Sequence, residues 1–197
     1  MSPRTAQKNR TRKALIEAAR DLITRGEDVT VANVADAADI SRATAYRYFA
    51  DAGAIATEVA LELELTPTEE LLAGLTDTRA RLHAEARYYL LFSRDHEATI
   101  RQYLAQTISL WASEGSTELR GARRVKAFSR ALETVAPKMS RAEFTALVNR
   151  LSMLTGIEQM VATKDVLRLD ADTADEMQRG IVDAVLDRYL PCLLYTS

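Results

Sequence analysis

Between Thr30 and Phe49 the chain reads TVANVADAADISRATAYRYF, and no other stretch holds so many groups suited to meeting a nucleic acid. Arg42 can pair bidentately with a guanine edge. Ser41 and Thr44 carry hydroxyls for phosphate or base, and Tyr46, Arg47 and Tyr48 can brace a phosphate backbone. Thr30 joins this contact set, as do the N-terminal cations Arg4, Lys8 and Arg10. The chemistry on offer is binding. No Ser, Cys or Lys stands in a recognisable nucleophile motif, and the seven glycines form no phosphate-cradling loop. His83 and His96 lack a second ligand at helical spacing and are expected to be surface histidines. No catalysis, cofactor or metal is expected.

The elements that must position these groups are helices. Leu15, Ala18, Ala19, Leu22 and Ile23 recur at the spacing of one helical face, with Thr11 as a possible cap and Gly26 as the stop. A second helix is expected after Thr30, with Val31, Val34, Ala35 and Ala38 inward, and a third from Ser41 to Phe49. Two short helices around a three-residue turn have the layout of a helix-turn-helix, whose second helix enters the major groove. Phe49 is assigned to the core. Asp51 can cap a fourth helix through about Leu65, and Thr66-Pro67-Thr68-Glu69 has capping-box spacing. Further helices are expected at about 78–94, 97–113, 117–135, 140–164 and 173–190, with Ser140/Glu143 and Thr173/Glu176 as capping boxes. The predicted fold is all-α: a three-helix helix-turn-helix domain, then a larger helical domain, about nine helices in total.

The run from Arg12 to Phe49 resembles the N-terminal domain of the TetR (tetracycline-repressor-like) family of bacterial transcriptional regulators. The matching pieces are ALIEAARDLI, TVANVADAADIS and the Tyr46-Arg47-Tyr48-Phe49 ending. LTGIEQMVATKDVLRLD and the amphipathic helix after it resemble the family's last two helices. The resemblance implies a homodimeric repressor that leaves a pseudo-palindromic double-stranded DNA operator when a small molecule binds. An activator of the same fold, or a helical interaction module that does not bind DNA, is the alternative. Three positions depart from the family pattern. Asp39 replaces the usual turn glycine and is expected to tolerate a left-handed backbone. Ala43 and Ala45 replace a common glycine and a larger aliphatic residue, and Ala52-Gly53 stands where a phosphate-contacting lysine is usual. Affinity is therefore expected to lean on Arg4, Lys8 and Arg10.

Residues 140–164, read as one helix, carry two opposed apolar stripes. Phe144, Leu147, Val148, Leu151, Leu154 and Val161 form one; Ala146, Met153, Gly156, Ile157 and Met160 form the other. A helix apolar on two faces is buried twice. The second stripe, with Ile181, Val182, Val185 and Tyr189 on the last helix, is the expected dimer interface, a four-helix bundle between two copies. A central helix in a larger monomeric bundle is the alternative. For a largely apolar effector, Tyr103, Thr107, Trp111, Phe128, Thr155 and Glu158 are the candidate lining. Glu158 has a competing use as an ion-pair partner of Arg123, Arg124 or Arg150.

Charge and composition agree with this reading. Residues 1–26 hold seven basic side chains against two acidic ones, although the 197-residue chain has a formal net charge of -2. A basic head on an acidic body fits a polyanionic partner. One cysteine excludes a disulfide framework. The longest uncharged stretch, between Arg101 and Glu114, is too short to span a bilayer, and no apolar segment follows the basic N-terminus. A cytoplasmic protein without a membrane partner is expected. Residues 1–50 are expected to form the DNA-binding domain and 51–190 the effector and dimerisation domain. Residues 191–197, with Pro191 and the sole cysteine, are a tail, either frayed or foreign to the natural end.

Overall fold

The computed structural model describes residues 3–115 and 122–189, and their contacts divide into two compact units. The tail at 191–197 and the first residues of the helix expected at 117–135 lie outside this description. Eleven α-helices and no strand occur among the described residues. The first unit holds α1 (Pro3–Arg25), α2 (Val31–Ala37), α3 (Arg42–Tyr46), α4 (Ala52–Leu61) and α7 (Glu97–Glu114). The second holds α5 (Thr68–Leu71), α6 (Thr78–Asp95), α8 (Arg123–Ala131), α9 (Arg141–Met153), α10 (Ile157–Val161) and α11 (Ala171–Tyr189).

In the first unit, Leu15, Ala19, Leu22 and Ile23 of α1 meet Val34 and Ala35 of α2, Ala45 and Phe49 around α3, and Ile55 and Val59 of α4. Helix α1 starts at Pro3, not near Thr11. Residues 5–10 are mostly exposed, so no apolar period marks them, yet Arg, Ala, Gln and Lys all favour helix. The helix closes as expected at Gly26, at φ 71°, where Glu27 N–H donates to Leu22 O and Gly26 N–H to Ile23 O. Helix α7 packs on α4 and α1, so its partners belong to the N-terminal unit. Gly53 on α4 makes room for this: a Cβ there would collide with the carboxamide of Gln106.

The second unit is built on Leu82 and Ala86 of α6, Phe128 and Ala131 of α8, Leu147 and Leu151 of α9, and Val182 and Leu186 of α11. The capping box at Ser140 and Glu143 forms with both of its bonds. The one expected at Thr173 does not: α11 begins at Ala171, and Asp170 accepts from Thr173 N–H at 2.9 Å. Pro67 makes no side-chain cap, and α5 is one short turn.

The uninterrupted helix expected over 140–164 is broken. It stops at Met153 and resumes at Ile157 across Gly156, whose φ of 85° and ψ of -157° are open only to glycine. A π-turn over Ala162–Val166 follows. The break resets the helical phase, so the two-stripe reading fails beyond Met153. Gly156, Ile157, Met160 and Val182 are buried in the single chain and offer no surface to a second copy. Met153 and Ile181 are exposed, at 69% and 38%. Val185 and Tyr189 are half-buried, with the Arg150 guanidinium 5.5 Å from the Tyr189 ring centre.

Candidate nucleic-acid interface

Each short helix of the pair opens on a side-chain oxygen. Thr30 accepts from Asn33 N–H at 3.0 Å, and Ser41 accepts from Thr44 N–H at 3.3 Å while its own hydroxyl donates to Thr44 Oγ1. The turn between them is a glycine-type helix stop made without glycine. Asp39 takes φ 53°, with Ile40 N–H on Ala35 O at 2.9 Å and Asp39 N–H on Asp36 O. Aspartate is among the few residues that visit this region at small cost, which explains how the turn survives without its usual residue. Ala45 is fully buried under α3, where a larger side chain would have to be accommodated. The helix ends at Tyr46, though Phe49 N–H still bonds to Ala45 O at 3.0 Å and Phe49 is core, as expected.

The exposed side of α3 carries Ser41, Arg42, Tyr46 and Arg47, with Thr44 half-buried beside them. Tyr48 differs: it packs partly against the core of the unit. Arg42 is engaged by Asp36 of α2, Nε donating to Oδ1 at 3.2 Å and Nη2 to Oδ2 at 2.7 Å. The Arg42 hydrogen bond holds the Asp36 carboxyl below its ordinary range. Asp36 was missing from the sequence-based set. Its spacing of six from Arg42, across a turn whose ends were legible, was the only available signal.

The structure also sorts the N-terminal cations. Arg12 pairs with Glu58 and Arg20 with Glu62, tying α1 to α4, while Lys13 and Arg25 are matched by Glu17 and Glu27. Lys8 and Arg10 remain exposed, and Arg10 donates to the neutral Gln7 at 2.7 Å. Four of the seven basic side chains in residues 1–26 thus have acidic partners within the fold. The side chain of Arg4 lies outside the described residues.

The six residues expected to line an effector site are divided between the units. Tyr103, Thr107 and Trp111 belong to the first; Phe128, Thr155 and Glu158 belong to the second. Trp111 is 59% exposed and Phe128 is fully buried core. The Thr107 hydroxyl donates to Leu104 O of its own helix, and the Thr155 hydroxyl, in the break after α9, donates to Leu151 O. Glu158 pairs with Arg124 at 2.9 Å, the structural use foreseen for it. A cavity of about 180 Å³ in the second unit was not anticipated; His83, Arg87, Gln178 and Arg179 line it above Leu90 and Val182. His83 is also no plain surface histidine: its Nε2 lies 2.8 Å from Asp183, which Arg79 binds as well.

Residues 15–59 match the family model described as bacterial regulatory proteins, tetR family. No curated protein and no solved structure matches the chain.

Proposed function

The chain belongs, through residues 15–59, to the tetR family of bacterial regulatory proteins, and from that premise we propose that it is a homodimeric transcriptional repressor released from its operator by a small, largely apolar effector. The DNA-binding role carries the rest. Its main support is the Ser41-capped helix α3, which exposes Arg42, Tyr46 and Arg47 in the same unit as the exposed cation Lys8. In this reading α3 lies in the major groove, Arg42 meets base edges, and Arg4, Lys8, Arg10 and Arg47 meet phosphates. A two-fold dimer presents two copies of α3, so the operator is pseudo-palindromic with half-sites roughly 34–36 Å apart, or somewhat more.

Effector release is proposed as a difference in affinity between the DNA-bound and free arrangements, which is what couples two sites. A cytoplasmic location follows from contact with chromosomal DNA, and no helix among the described residues is long and apolar enough to cross a membrane. Selection from a randomised duplex pool tests the core of the proposal. Enrichment of a two-fold symmetric sequence, bound more weakly as salt rises, is the expected result. Absence of salt-sensitive duplex binding overturns it. A screen of small organic compounds for release of the selected duplex then tests the effector, and an effect only on adding DNA-bound partner proteins would argue against direct control.

A further inference from the structure

We propose that Asp36 is a positioning residue for base recognition: it grips one edge of the Arg42 guanidinium and presents the other edge, already oriented, to a guanine. This rests on the DNA-binding reading above and adds a specificity-determining residue on a different helix. A guanidinium has five N–H donors in a fixed plane. Two of its edges present parallel pairs, one from Nε and Nη2 and one from Nη1 and Nη2. Asp36 takes the first edge, with Nε on Oδ1 at 3.2 Å and Nη2 on Oδ2 at 2.7 Å. The second edge, Nη1 with the remaining Nη2 proton, has no partner among the described residues, and a bidentate contact to guanine O6 and N7 needs just such a pair.

The turn makes Asp36 a firm support. Its backbone oxygen receives Asp39 N–H, and Ile40 N–H closes on Ala35 O beside it at 2.9 Å. Asp36 Cα is thereby fixed relative to Ser41, the cap of α3, and Arg42 is the first residue of that helix. A free arginine has many rotamers to lose on meeting a base, whereas a gripped one has few. Both side chains are more than half exposed, at 63% for Arg42 and 56% for Asp36, so the pair lies where DNA can reach it. An exposed ion pair adds little to folding stability. A carboxylate on a surface that meets a polyanion also weakens general attraction. Neither fact accounts for an acidic residue here, whereas orienting Arg42 does.

Two other roles for Asp36 predict different results. If the pair merely joined α2 to α3, losing it would weaken binding to every duplex alike. If Asp36 sequestered Arg42, losing it would strengthen the guanine preference. The test is selection and sequencing from a duplex pool with a randomised centre, using wild type, Asp36→Asn, Asp36→Ala and Arg42→Lys, with thermal melting as a check on folding. A bidentate Arg–guanine pair corresponds to about 5- to 150-fold discrimination. The wild type is expected to enrich guanine at one position of each half-site. Both Asp36 variants should lose most of that enrichment at that position alone, while affinity for the unselected pool rises because a negative charge is gone. Arg42→Lys, which keeps charge but has no fork, should lose the same position. Unchanged or sharper guanine enrichment in the Asp36 variants overturns the proposal, as does a uniform loss at all positions. If the wild type enriches no sequence at all, the DNA-binding reading falls together with it.

Discussion

A guanidinium at a base edge and an ammonium at a phosphate leave different traces when removed. Arg42→Ala should cost about 1–3 kcal/mol on the preferred duplex and little on others. Lys8→Ala should weaken all duplexes alike and reduce the slope of log affinity against log salt by about one unit. Titration of both variants on matched and scrambled duplexes separates the roles, and equal losses for Arg42→Ala on the two would remove it as a base reader. A second residue-scale expectation concerns Glu85, which is 1% exposed and has Oε1 without a hydrogen-bond partner. Burial raises its folded-state pKa, opposed by a hydrogen bond from Thr68 and by the charge of Arg81. The folded state therefore holds the proton more tightly than the unfolded chain. This stabilises the protein below the ordinary glutamate range and is lost as pH rises through the elevated folded pKa. Glu85→Gln should melt higher than wild type near neutral pH, with a gap that shrinks on acidification. A gap independent of pH would show that the carboxyl's charge is not what matters.

Gly156 and Gly180 make opposite demands on the elements around them. Gly156 sits at φ 85° between α9 and α10, and a Cβ there would stand 2.7 Å from Nη1 of Arg124, the arginine that bonds Thr155 O and pairs with Glu158. Gly156→Ala should destabilise by about 1–3 kcal/mol, since it forces a side chain into a region reserved for glycine. Gly180, inside α11, has nothing within 4 Å of an added Cβ, so Gly180→Ala should stabilise the helix by about 0.8–1 kcal/mol. Denaturant melts of the two variants give the comparison. A tolerated Gly156→Ala would mean that the chain can run straight through as one helix, as its apolar pattern suggests. That pattern misled for a physical reason: hydrophobic spacing continues across Gly156, while the break depends on backbone freedom and on where Arg124 lies.

Dimerisation is a property of the whole molecule, and burial decides which residue tests it. Ile157 is 6% exposed inside the second unit, so Ile157→Glu buries an unpaired carboxylate and should unfold the chain, with a cost of several kcal/mol. Ile181 is 38% exposed on α11, near Met177 at 36% and the open Gly180. Its burial against a second copy is what the dimer proposal requires. Ile181→Glu should therefore melt like the wild type but sediment as a monomer and lose affinity for symmetric duplexes. A wild type that is monomeric at micromolar concentration would sink the dimer and the palindromic operator together. Trp111, 59% exposed in the first unit, is the sole tryptophan and offers a clean fluorescence reporter for effector titrations.

Features made within a few residues were legible from the sequence. The all-α class, the stop at Gly26, the caps at Thr30, Ser41, Asp51 and Ser140, and the left-handed Asp39 are each decided by a side chain or backbone bond reaching one turn away. The apolar period of α1 and the cluster around Arg42 belong to the same class, because helical geometry converts spacing directly into a face. Tertiary structure alone decided which faces meet. It placed α7 with the N-terminal helices, turned Ile157, Met160 and Val182 inward, and assigned Arg12 and Arg20 to acidic partners on α4. An apolar stripe states that it will be buried but not against what, and a cation states its charge but not its partner. Those choices depend on residues distant in the chain that only folding brings together.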